Sequence, residues 1–122
     1  MRLATACAFA LVLAGCDQLP GTKAHSVRQA EDLVAYQLLD PSSAQFRDVD
    51  VFGDAVCGQV NGKNRLGGYV GFRDFYVVND QAFIEPEEDV LGDDAEKLAA
   101  SNAHGQFVGE YVINCNQTVN RR

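Results

Sequence analysis

An α+β domain, with an N-terminal helix packed on an antiparallel sheet of four to five strands, is the fold this sequence predicts. Three observations carry that expectation. A stretch with helical spacing stands first, at Val27, Ala30, Val34 and Leu38. Short β-rich runs follow, separated by Gly-Asp, Asn-Gly and Asn-Asp turn signals. Helices and strands are therefore segregated along the chain rather than alternating as βαβ units.

Each element has its own local reason. Ser26 and Gln29 form a capping-box pattern, so the helix is expected to start with Ser26 as its N-cap. Leu33 and Leu39 widen its apolar face, and Asp40-Pro41 closes it, because the residue before proline is pushed out of the helical region. Val49 and Val51 alternate with Asp48 and Asp50, then Gly53-Asp54 turns the chain. Val56, Gly58 and Val60 alternate with Cys57 and Gln59 as a second strand. Asn61 to Gly68 reads as a loop longer than a two-residue hairpin, and Tyr69 to Val78 as the longest strand. Asn79-Asp80 turns into a strand at Gln81 to Glu85. Asp93 is placed to cap a short helix, Asp94 to Ala103, with acids near its positive end. Gly105 is expected to stop that helix, and Phe107 to Ile113 to form a final strand carrying Cys115 to the sheet.

The N-terminus follows another logic. Arg2 is followed by thirteen uncharged residues, Leu3 to Gly15, fewer than the roughly 18 that a membrane span requires. A basic start, a short apolar core and small residues before a cut site describe an export signal. Leu13-Ala14-Gly15-Cys16 resembles the lipobox of bacterial lipoproteins. That resemblance implies cleavage before Cys16, a diacylglyceryl thioether on its sulfur, and an acyl chain such as palmitate on its new amine. Two or more acyl chains anchor a protein stably where one does not. Asp17 resembles the signal that retains enteric lipoproteins on the inner membrane, which favours that membrane over the outer one. The expected organisation is a signal at 1–15, a lipidated cysteine and tether at 16–25, one α+β domain at 26–115 and a polar tail at 116–122.

Cleavage removes Arg2 and leaves 107 residues, nine basic and seventeen acidic, for a net charge of −8. That is one domain's worth of chain. The charge argues against nucleic acid, which needs clustered cations to displace counterions, and it is compatible with a basic protein partner. Cys7 leaves with the signal and Cys16 is consumed by lipid, so Cys57 and Cys115 remain as an even pair in an oxidising compartment. A disulfide is the expected state. The alternatives are a nucleophilic thiol, or a metal site for which only His25 and His104 remain as partners, without ligand spacing.

The most distinctive passages are Asp40-Pro41-Ser42-Ser43-Ala44-Gln45-Phe46 and Cys57 to Phe72, CGQVNGKNRLGGYVGF. Together they resemble a pattern in small, largely uncharacterised bacterial lipoproteins and prophage-borne proteins, DPxSAQF followed by CGxVNxKNxxGGYxGF. The resemblance implies an envelope compartment and this fold, and it implies no activity. Physically, Asn61, Lys63, Asn64, Arg65 and Tyr69 are the candidates for a ligand or partner loop; the other reading is a structural connection whose amides bond the loop to itself. The glycine spacing fits neither a P-loop nor a dinucleotide fingerprint. The acidic run from Glu85 to Glu96 lacks the alternation of a calcium loop. No nucleophile–base constellation is visible, and neither a cofactor nor a metal is expected.

The function expected from sequence is a non-enzymatic, membrane-anchored envelope module that binds a protein partner. One form of it is an inhibitor or immunity-type protein. The alternative is a periplasmic domain that binds a small ligand or glycan through Asn61 to Gly68.

Overall fold

The computed structural model describes residues 19–87 and 92–116. Cys16, the signal segment and most of the polar tail lie outside the described residues. The element order is α1 (Lys23–Tyr36), a single 3-10 turn (Pro41–Ser43), β1 (Gln45–Phe52), β2 (Ala55–Asn61), β3 (Arg73–Val78), β4 (Gln81–Ile84) and α2 (Asp94–Cys115). The four strands form an antiparallel meander in the order β1-β2-β3-β4.

The helix α1 starts earlier than its capping-box pattern suggested. Thr22 is the N-cap and its hydroxyl accepts from the His25 amide at 3.2 Å, while Ser26 lies inside the first turn and donates to the Thr22 carbonyl. Both hydroxyls suit a cap; the one preceded by the Leu19–Gly21 turn takes the role. The helix also ends at Gln37, before Asp40-Pro41 is reached. Its Ala30 and Val34 are buried against Val56, Val60, Phe75 and Val77 of the sheet.

The alternation along β1 breaks once. Arg47 opposes Gln59 and Asp50 opposes Cys57, so Asp48 and Val49 together face Gly58. This is a β-bulge, and Asp48 adopts a positive φ of 54° within it. The extra residue restores parity: Phe46, Val49 and Val51 all join the α1-facing core. Without it, Asp48 and Asp50 would follow Phe46 onto that face. Gly58 belongs to the same device. A Cβ there would lie 2.8 Å from Val49 Cγ2 and 2.9 Å from Val49 Cα.

The largest departure from expectation is α2. It is one 22-residue helix running through Gly105, so the stop at that glycine and the strand at Phe107 to Ile113 are both corrected. Phe107, Tyr111 and Cys115 recur every four residues, which lines one helical face, and that face packs on Ala55, Cys57 and Tyr76. Burial of this stripe outweighs the roughly 1 kcal/mol that an interior glycine costs a helix. The second helix therefore covers the opposite face of the sheet from α1, giving three layers where one helix on one face was expected. Asp93 does cap it, accepting at 3.0 Å from both Ala95 and Glu96 amides.

Cys57 and Cys115 form a disulfide that ties the end of α2 to the central strand β2. Beside it, Phe83, Tyr76 and Phe107 form a run of rings with centroids 4.8 and 5.4 Å apart. Burial, and then the Glu110 charge, pushes the Tyr76 hydroxyl above its usual pKa; burial, and then Asp74 and Glu85, does the same to Tyr111. A tyrosine that ionises later folded than unfolded holds more protons in the native state, so stability falls as pH rises past the unfolded pKa of 10.0. The melting temperature should accordingly drop between about pH 9 and about pH 11. Tyr111→Phe should flatten that drop, as read by thermal denaturation across the range.

Candidate interaction site

The loop between β2 and β3 sits at the far end of the domain from the chain's entry. Lys23, at the start of α1, pairs with Asp50 at 2.6 Å near the β1–β2 turn. Fourteen helical residues then carry the chain about 21 Å to Leu38, whose side chain lies 3.1 Å from where a Cβ on Gly62 would stand. The described chain thus enters at one end, where Thr22 caps α1, and the loop is presented at the other.

Most of the loop's polar groups are used within it. Asn61 is buried and its Oδ1 accepts from the Gly71 amide at 3.0 Å. Asn64 Oδ1 accepts from the Leu66 and Gly68 amides at 3.0 and 3.1 Å. Gly67 takes a positive φ of 79° in the turn so formed, and its amide donates to the Asn64 carbonyl. Lys63 and Tyr69 pair as an isolated bridge across the base; the strand expected from Tyr69 begins only at Arg73. Ser43, delivered by the 3-10 turn, is buried beneath. Its hydroxyl accepts from the Lys63 amide and its carbonyl from the Tyr69 hydroxyl.

The structure therefore brings all five candidates together but divides them by role. Asn61 and Asn64 hold the loop in shape. The Lys63 ammonium stands 5.5 Å from the Tyr69 ring centroid, within cation–π range. Arg65 and Leu66 form the tip, where Leu66 is 94% exposed, and Tyr69 and Val70 beside them are about half exposed. Leu66 was not among the sequence candidates. Its signal was available, as a leucine between two loop turns with no strand or helix periodicity to bury it. From Ala55 to Arg73 the sequence carries no acidic residue, in a chain with seventeen, and at its end Arg73 pairs with Glu87 at 3.5 Å.

A polar row that sequence reasoning also missed crosses the α2 side of the sheet next to the loop. Arg47 donates to Gln59 at 2.6 Å, Gln59 donates to Asp74 at 2.8 Å, and the Asp74 amide donates to Glu85. Glu85 Oε1 lies 3.7 Å from His104 Nδ1. The Arg47 guanidinium also covers the Phe72 ring at 3.9 Å, fixing the strand that leaves the loop. Elsewhere, a shallow groove of 730 Å³ runs between α1 and the β3–β4 hairpin, lined by Leu33, Tyr36, Asp80 and Phe83 among others. It brings together none of the five loop candidates.

Comparison of the chain with protein-family models, with curated proteins and with solved structures finds no match.

Proposed function

We propose that this chain is a lipid-anchored, non-enzymatic module of the bacterial envelope, held at Cys16, facing the periplasm, that binds a protein partner through its β2–β3 loop. One observation supports the binding reading above the others. The Leu66, Gly67, Gly68 and Gly71 amides bond within the loop, while Arg65, Leu66, Tyr69 and Val70 stay exposed on a braced tip. An exposed leucine beside an arginine on a rigid support suits a protein pocket, in which such residues dominate binding energy. The lipobox-like Leu13 to Cys16, and the likeness to small envelope lipoproteins, support the compartment. The net charge of the remaining chain suits a partner that is basic outside the pocket, as an inhibitor or immunity-type protein would need.

Crosslinking of the lipidated protein in its own envelope, followed by pull-down and mass spectrometry, tests this. One dominant partner is expected. Leu66→Asp should lower its yield at least about tenfold, the scale of a hot-spot loss, without lowering the melting temperature, since Leu66 is 94% exposed. The ligand-binding alternative rests on Lys63, Tyr69 and Arg65. If only Lys63→Ala with Arg65→Ala abolishes function, and no partner is captured, that alternative replaces the proposal.

A further inference from the structure

We infer that the free edge of β4 is a strand-addition site, which takes an extended segment of another protein, rich in lysine or arginine, as a fifth strand. The sheet has two edges, β1 and β4, and only one is guarded. β1 carries Arg47, Asp48 and Asp50 together with the bulge, and Lys23 pairs with Asp50 beside it. Charges and bulges on an edge strand keep other strands from pairing with it. β4 is Gln81-Ala82-Phe83-Ile84, with no charge, proline or bulge.

The register fixes which backbone groups face outward. Val78 opposes Gln81 across the Asn79-Asp80 turn, and the Glu85 amide donates to the Asp74 carbonyl at 2.8 Å. Gln81, Phe83 and Glu85 therefore bond toward β3, while Ala82 and Ile84 direct their N–H and C=O groups away from the sheet. Gln37, at the end of α1, marks that direction: its side-chain amide donates to the Ala82 carbonyl at 2.7 Å, as an incoming strand's N–H would. Among the described residues, no group accepts from the Ala82 and Ile84 amides.

Grooves flank this edge on both faces of the sheet. The 730 Å³ groove beside α1 and a 430 Å³ groove beside α2 both reach Gln37, Ala82 and Phe83. Successive side chains of an added strand point to opposite faces, so they would enter the two grooves in turn. Main-chain bonds then give affinity and the alternate pockets give specificity. Charge chooses the occupant. Asp32 and Asp80 line the first groove and Glu110 the second, and no described residue lining either is basic. A basic segment is complementary to that rim. A second copy paired through its own β4 would instead bring the same acids to one seam.

The site lies apart from the β2–β3 loop, so Leu66→Asp should leave it intact and the two readings fail separately. The test reads backbone amide exchange by NMR on the full protein in mild detergent, with a blocked peptide of alternating lysine and valine as the probe. At about ten times its Kd, the peptide should slow exchange at Ala82 and Ile84 about tenfold. The same peptide methylated at its backbone nitrogens, or carrying glutamate in place of lysine, should not. Ala82→Pro removes an outward N–H and no ladder bond, so it should abolish the protection of Ile84 with little change in melting temperature. Asp32→Lys with Glu110→Lys, both at exposed positions, should weaken peptide binding about three- to tenfold, and tests the claim even if Ala82→Pro disturbs β4. Equal protection by the methylated or glutamate peptide, or protection by none, overturns the inference. So does slow exchange at Ala82 and Ile84 before peptide is added. If that slowing is independent of concentration, a segment of this chain holds the edge; if it grows with concentration, a second copy does.

Discussion

Without the Cys57–Cys115 bond, α2 comes away from the sheet before the rest of the domain unfolds. The bond closes a 58-residue separation, for which the chain-entropy model gives about 4 kcal/mol, within the usual range for such bonds. Domains of this size are stable by only about 5–15 kcal/mol, so the loss is a large fraction of the total. It falls unevenly. The α1-side core of Ala30, Val34, Val60 and Phe75 shares no residue with the α2-side core of Ala55, Cys57, Tyr76 and Phe107. Cys57→Ala with Cys115→Ala should therefore lower the denaturation midpoint markedly. Hydrogen exchange should accelerate along Asp94–Cys115 while Lys23–Tyr36 and the central strands stay protected. Uniform acceleration across both helices would show that the two cores do not behave separately.

Gly58→Ala is the second large effect. Its new methyl group would sit within 3.0 Å of both the Cγ2 and the Cα of Val49, and 3.2 Å from Phe75 Cε1. The Val49 side chain can rotate, but its Cα cannot move without opening β1 from β2 at the bulge. Overpacking of this kind costs about 1–3 kcal/mol, equivalent to a fall of roughly 4–8 °C in melting temperature per kcal/mol. Trimming Val49 to alanine in the same chain should recover only part of the loss, because the backbone contact remains. Full recovery would place the whole conflict in the side chain and remove the bulge from the explanation.

These two cases also show what was readable in advance. The antiparallel meander was, because Asn79-Asp80 and Gly53-Asp54 are short turns with positive φ at Asn79, Asp80 and Gly53 between alternating runs. Pairing of Cys57 with Cys115 was expected once the export signal takes Cys7 and the lipobox resemblance takes Cys16, which leaves one even pair. Three features required knowledge of three-dimensional packing. Gly58 reads as an ordinary strand glycine unless the bulge opposite it is known. Ser26 and Thr22 compete for one cap on nearly equal chemistry. Phe107, Gly109, Tyr111 and Ile113 alternate as a strand would, and only the docking of Phe107, Tyr111 and Cys115 on Tyr76 and Cys57 selects the period of four. At the loop, the sequence supplied the residues but not their division of labour, because an asparagine that braces a turn and one that meets a ligand look alike until its hydrogen bonds are seen.

The reading of this chain as an anchored module rests on Cys16, and the mass of the mature N-terminal peptide tests it most directly. Protein purified from its own membranes should yield a peptide beginning at Cys16, heavier by a diacylglyceryl group and an amide-linked acyl chain. A peptide that begins at Met1, or at Cys16 with an unmodified thiol, would contradict the anchor and the envelope module built upon it.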